Sequence, residues 1–223
     1  MKKSTTVIKT KRLILTPMSD AETEARIQSA DSEELRAAYG EMLAGCRADP
    51  EHRVWYSPWK MCLKEDGCCV GDLCFKGPAK NQAVEIGYGV SPDYEGKGYT
   101  TEAVQAMAQW AFSQEGVTFV EAETEPGNKA SQRVLEKCGF APDGEGKEGP
   151  RFVLEAPLTK WFSIYMLFGL SIGLSLGTSL GNSATGMCLG MSVGLCIGFA
   201  LDASAKKARE KLRLQRQESR QSI

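Results

Sequence analysis

Histidine is almost missing from these 223 residues: His52 is the only one. The eight cysteines, Cys46, Cys62, Cys68, Cys69, Cys74, Cys138, Cys188 and Cys196, contain no Cys-x-x-Cys pair, so neither a zinc site nor any other metal site is expected. An excess of basic charge is missing as well, with 27 Lys+Arg against 28 Asp+Glu for a net charge of −1. That balance gives no broad basic surface for coating nucleic acid. The opening Met1-Lys2-Lys3-Ser4-Thr5-Thr6 lacks a secretory pattern, and the scattered cysteines are expected as reduced thiols in a cytosolic compartment. Most unusual is the stretch from Trp161 to Leu201, which has no charged residue at all.

The charge that is present is unevenly placed. Residues 1–160 carry 20 basic and 25 acidic side chains, whereas residues 202–223 carry 7 and 3. The pattern predicts three parts: a globular domain over 1–158, an apolar segment over 159–203 and a basic tail over 204–223.

Within the first part, alternation over 5–16 predicts a strand ending at Pro17. Ser19 and Asp20 offer a cap for a helix over 20–29, and Asp31-Ser32-Glu33-Glu34 opens a second over 32–46. Three strands follow, over about 54–64, 68–76 and 82–90, with turns at Asp66-Gly67 and Gly77-Pro78. A helix over 101–114, a strand over 119–124, a helix over 130–137 stopped at Gly139 and a last strand over 151–155 complete an α/β pattern: a mixed sheet flanked by helices.

Tyr94-Glu95-Gly96-Lys97-Gly98-Tyr99-Thr100-Thr101 lies between a strand and a helix, where amide N–H groups and the helix dipole favour an anion. Thr101 stands where a dinucleotide fingerprint needs its third glycine, and no Gly-Lys-Ser/Thr ending follows. NAD and ATP are therefore not supported. On its own the segment also fits a plain glycine-containing turn.

Three segments together say more. Val84-Glu85-Ile86-Gly87-Tyr88-Gly89-Val90, then Glu95 to Ala103, then Asn128-Lys129-Ala130-Ser131 to Gly139-Phe140 closely resemble the GNAT superfamily of acyl-CoA-dependent N-acetyltransferases. Thr10 to Leu15 look like the branch containing the ribosomal-protein alanine N-acetyltransferases. The resemblance implies a GNAT-like mixed central sheet, with the pyrophosphate of acetyl-CoA on the amides of Gly96, Lys97, Gly98, Tyr99 and Thr100. It also implies the pantetheine arm along the strand ending at Val90, with Asn128 bonding that arm. Glu85 corresponds to a carboxylate used as the base, and Ser131 to a hydrogen-bond donor near the thiol. The family's usual tyrosine acid falls at Leu135, so that acid is absent from its usual place. Glu123 and Glu125 are read as an acidic rim attracting a cationic amine. Tyr39, Trp55, Tyr56 and Trp59 fall in segments that line the family's acceptor cleft, although aromatics at strand spacing also suit a core.

The expected activity is acetyl transfer from acetyl-CoA to a primary amine, a protein N-terminus or a small molecule, by direct attack. The alternative is a catalytically silent acyl-CoA-binding scaffold.

The apolar segment holds two four-residue glycine series: Gly169, Gly173, Gly177, Gly181, and Gly186, Gly190, Gly194, Gly198. As helices, 161–181 and 184–201 would be about 31 Å and about 27 Å long, against a hydrocarbon core of about 30 Å. With a turn at Asn182-Ser183 they suggest a glycine-zippered transmembrane hairpin. Lys160 and Lys206-Lys207-Ala208-Arg209 at its outer ends place enzyme and tail on the cytosolic face of the membrane. The alternative is a soluble helical pair used for self-association into a homo-oligomer.

Overall fold

The computed structural model describes residues 6–221. The chain divides between Ala156 and Pro157 into two compact units.

The first unit is built on an eight-stranded sheet of order β1-β2-β3-β4-β5-β6-β8-β7, with strands β1 (Ile8–Lys9), β2 (Leu13–Pro17), β3 (Trp59–Leu63), β4 (Cys69–Phe75), β5 (Ala83–Val90), β6 (Phe119–Glu123), β7 (Ala141–Glu145) and β8 (Pro150–Glu155). Only β5 and β6 run parallel; every other neighbouring pair is antiparallel. Helices α1 (Asp20–Gln28), α2 (Glu33–Ala48), α3 (Tyr99–Phe112) and α4 (Lys129–Lys137) complete it. This is the mixed α/β architecture the pattern predicts.

Local chemistry sets the helix ends. Ser19 and Glu22 form a reciprocal capping box at α1, Ser32 accepts from Leu35 N at α2, and Asn128 caps α4. Gly139, at φ +87°, ends α4 in a left-handed conformation open to glycine. The core lies on one face of the sheet: Leu13, Leu15, Trp59, Met61, Leu73, Phe75, Ile86 and Val120 pack with Val104, Met107 and Ala111 of α3.

The structure corrects two boundaries, adds a strand and pairs two cysteines. Residues 8–15 form a tight hairpin, Ile8 opposite Leu15, rather than one strand. The strand expected from 54 starts only at Trp59, because Arg53–Trp55 coil into a 3-10 turn and Ser57 Oγ donates 3.0 Å to Met18 O. β7 was hidden by Pro142-Asp143-Gly144, which reads as a turn but is tolerated on an edge strand. Cys62 and Cys69, opposite each other on β3 and β4, are joined as a disulfide, against the expectation of free thiols throughout.

A pH effect follows at α1. The Lys60 ammonium and then the Ser19 N–H hold Glu22 down at about 2, from an ordinary 4.5. A depressed folded-state value means stability present above the ordinary carboxylate range and lost as pH falls from about 4.5 towards about 2. Lys60→Met should therefore lower the urea midpoint at pH 7, and the gap from wild type should narrow through that window. A gap independent of pH would contradict the assignment.

The second unit consists of α5 (Trp161–Ser179) and α6 (Ser183–Gln221). Gly181, at φ +80°, turns the chain, and Asn182 Oδ1 accepts 3.0 Å from Thr185 N. The helices meet along their glycines: a Cβ on Gly173 would lie 2.9 Å from Gly190 Cα, and one on Gly177 2.9 Å from Gly186 Cα. At the other end Asp202 accepts from Trp161 N at 2.8 Å and Phe162 N at 3.3 Å, placing a carboxylate at the positive end of α5. The basic tail is not a separate part, because α6 runs through it without a break to Gln221.

Candidate functional site

The site begins where two strands part. Parallel pairing of β5 with β6 covers only Ala83–Phe119, Val84–Val120 and Glu85–Glu121, yet β5 continues to Val90. β6 meanwhile stays paired with β8 as far as Glu123 opposite Arg151. The sheet therefore opens along the second half of β5.

The chain leaves this opening through a 3-10 turn at Pro92–Tyr94 and enters α3 through Gly96 at φ +70° and Gly98 at φ +78°. Both glycines hold left-handed conformations that side chains resist. No side-chain group caps α3, so its first amides and its dipole are available to an anion. Arg12 braces the turn: its Nη1 donates 3.0 Å to Lys97 O, its Nε pairs at 2.7 Å with Glu102, and its guanidinium lies 4.5 Å from the Tyr99 ring centroid. Lys97 Nζ sits 4.8 Å from the Tyr94 ring centroid. A diphosphate is the kind of group such a turn can hold.

Strand alternation sends the β5 side chains to two faces. Glu85 shares its face with Gly87 and Gly89. Its Oε1 is 2.6 Å from Lys76 Nζ, which also contacts Glu148 Oε1 at 2.8 Å. Glu123 takes the Glu148 N–H at 3.0 Å and Arg151 at 2.6 Å. Burial works against ionisation of Glu123, but the Glu148 amide and Arg151 together hold it below the usual carboxylate range. Burial likewise opposes the charge on Lys76, but Glu148 and Glu85 outweigh it and push its value up. Glu85, Glu123 and Glu148 offer oxygens within 4.8 Å of one another, so the cluster could take a cation; Lys76 partners Glu85 and Glu148, and Arg151 partners Glu123. The free acidic rim is corrected accordingly: Glu123 is a nearly buried partner of Arg151, and only Glu125 is exposed.

The other face of β5 carries Tyr88 towards α4. The Ser131 N–H bonds to Asn128 Oδ1 at 2.9 Å, and Ser131 Oγ lies 2.7 Å from the Tyr88 hydroxyl. Burial raises Tyr88, with the Ser131 bond partly opposing, to about 12. Leu135 is fully buried in the core. Thr124, just past β6, keeps a buried Oγ1 that finds no hydrogen-bond partner among the described residues.

The aromatic residues divide. Trp55 and Trp59 belong to a core cluster with Phe75 and Trp110, with ring centroids 4.9–5.8 Å apart. Tyr39 is buried and donates 2.6 Å to Asp72 Oδ2. Tyr56 lines a cavity of about 420 Å³ with Met42, Phe75, Lys76 and Glu148.

Sequence reading passed over Arg12, Lys76, Tyr88, Thr124 and Arg151 as site residues. Strand parity could have found Tyr88, and the β4–β5 register could have found Lys76, which follows the Phe75–Ile86 pair.

A family model described as an acetyltransferase (GNAT) domain matches residues 9–141. The uncharacterized N-acetyltransferase YjdG of Bacillus subtilis (strain 168) is 37% identical over 86 residues, covering 38% of this chain and 51% of that protein. The chain spans about half the length of the first curated relatives it matches. Solved structures share the fold as well. The ribosomal-protein-S5-alanine acetyltransferase of Vibrio fischeri has a TM-score of 0.52 at 16% identity, covering 66% of this chain and 94% of that one. Mycobacterium smegmatis RimJ, in complex with CoA-disulfide, has a TM-score of 0.54 at 19% identity, covering 69% and 88%.

Proposed function

Because the chain belongs to the GNAT acetyltransferase family, we propose that its first unit transfers acetyl from acetyl-CoA to a primary amine, either a protein N-terminus or a small molecule. The observation that carries this reading is the opening of β5 from β6 directly before the two left-handed glycines and uncapped N-terminus of α3. The RimJ structure with CoA-disulfide supports a coenzyme A ligand.

The residues suit such a co-substrate. The amides of Gly96, Lys97, Gly98, Tyr99 and Thr100 would receive its diphosphate, with Lys97 adding positive charge. The unpaired edge of β5 up to Val90 suits the amides of the pantetheine arm, and Asn128, whose Oδ1 is engaged by the α4 cap, retains an NH2 to donate. The orphaned Thr124 hydroxyl is a further buried polar group awaiting a partner.

Acetyl-CoA supplies a thioester carbonyl that an uncharged amine attacks with release of coenzyme A. Glu85 receives the amine proton, and its ion pair with Lys76 fixes where that carboxylate stands. Ser131 donates a hydrogen bond to the sulfur as negative charge develops there. No feature of the site favours the silent scaffold.

Release of coenzyme A, followed with peptides, polyamines and aminoglycosides as acceptors, tests the reading and sorts the amine. Gly98→Glu should weaken acetyl-CoA binding at least about tenfold, because it adds a side chain at φ +78° and a negative charge beside the diphosphate. Unchanged affinity by calorimetry would remove the turn from the site.

For the second unit we propose a membrane-spanning hairpin whose two outer ends lie on the cytosolic face. α5 and α6 each hold a stretch long and apolar enough to cross a bilayer, and little of either stretch is buried. Leu167, Phe168, Leu180 and Leu189 are all more than 60% exposed, an apolar surface that needs a cover. Lys160 and the basic residues after Lys206 mark the cytosolic ends.

A further inference from the structure

Each hydroxyl at the α4 end of the site has one proton to give, so the direction of their hydrogen bond decides what Ser131 can do. Tyr88 reaches across from β5 with its Oη 2.7 Å from Ser131 Oγ and 3.2 Å from the Ser131 carbonyl oxygen. Ser131 and Leu135 stand four residues apart on α4 and so share one helix face. Leu135, where the resemblance leads one to look for a tyrosine acid, is fully buried and has no proton to offer. The only phenol bonded to this turn of α4 among the described residues therefore comes from the sheet.

Resting on the acetyltransferase reading above, we propose that Tyr88 is a positioning residue that donates a hydrogen bond to Ser131 Oγ and so aims the Ser131 hydroxyl hydrogen at the departing sulfur. If Tyr88 instead donated to the Ser131 carbonyl, Ser131 would give its own proton back to Tyr88 and have none for the sulfur. The 2.7 Å contact is the shorter of the two, and negative charge developing on sulfur favours the chain Tyr88 to Ser131 to sulfur, because successive donors polarise one another. Burial keeps the phenol protonated, with its value up at about 12, so it stays a donor throughout the neutral range. Tyr88 forms and breaks no covalent bond in this arrangement. It acts only through Ser131.

The test uses the 223-residue chain in detergent, acetyl-CoA, and a panel of an alanine-terminated peptide, spermidine and kanamycin. Tyr88→Phe keeps the ring and removes the hydroxyl. It should lower kcat about tenfold while the KM for acetyl-CoA and the calorimetric affinity for coenzyme A change less than about twofold. Ser131→Ala should cause a similar loss, and the double variant little more than either alone, because both remove one chain of donors. A Tyr88→Phe enzyme with undiminished kcat, single losses that multiply in the double variant, or a loss confined to coenzyme A affinity would each overturn the positioning role. Wild-type protein that binds acetyl-CoA but releases no coenzyme A with any acceptor would overturn the acetyltransferase reading instead, and this proposal with it.

Discussion

Glutamine in place of Glu85 is expected to lower turnover by about 100-fold near neutral pH while leaving acetyl-CoA affinity unchanged. The substitution keeps size and shape and removes only the ability to take a proton. An alkyl amine is almost entirely protonated at pH 7, so an enzyme without its base must wait for the rare neutral form. The deficit should therefore shrink as pH rises towards the amine's own pKa, and this slope separates a lost base from a damaged fold. Lys76 loses one carboxylate but keeps Glu148, so the local ion-pair network is thinned rather than dismantled. Arg12 pairs with Glu102 and the Lys97 carbonyl, whereas Glu85 pairs with Lys76, so the diphosphate end of the site should be untouched. The measurement is kcat/KM against pH for both proteins, with coenzyme A affinity as the control. Full activity at every pH would move the proton to Glu125 or to solvent.

What could be read from the sequence was what local chemistry decides. Ser19, Ser32 and Gly139 mark helix ends because caps work within four residues, and the turn at Gly96 and Gly98 announces itself through glycines that only a left-handed backbone requires. What escaped depended on partners brought together by the sheet. Arg12 meets Glu102 across 90 positions, Tyr88 meets Ser131 across 43, and Glu123 meets Arg151 across 28. No local pattern carries such pairs, and without Arg151 in view Glu123 looks like a free surface charge. The Cys62–Cys69 pair needed the β3–β4 register before two scattered cysteines became neighbours. The continuation of α6 was legible but passed over: after Gly198 the chain holds no glycine or proline, and Ala, Lys, Arg, Glu, Leu and Gln dominate, all of them strong helix formers.

Leucine at both Gly173 and Gly190 is expected to loosen the α5–α6 pair without releasing the protein from membranes. A Cβ on Gly173 would stand 2.9 Å from Gly190 Cα, and one on Gly190 2.7 Å from Gly173 Cα, closer than such atoms are found. Two leucines at this seam must force the backbones apart and forfeit the contact that small residues allow. Hydrophobicity rises at the same time, so attachment to a bilayer should persist while proximity crosslinking between the two helices falls severalfold. Deletion of 157–223 should do the opposite: it removes both apolar helices and should leave the first unit in the supernatant, still binding acetyl-CoA. The outcome turns on where the intact chain fractionates. If it stays in the supernatant without detergent, as a defined oligomer that falls apart in the double variant, the exposed leucines are covered by other copies of the chain and the hairpin is a soluble zipper. If it sediments with membranes and leaves them only in detergent, the bilayer is the cover, and the glycine seam does no more than hold two spans together within it.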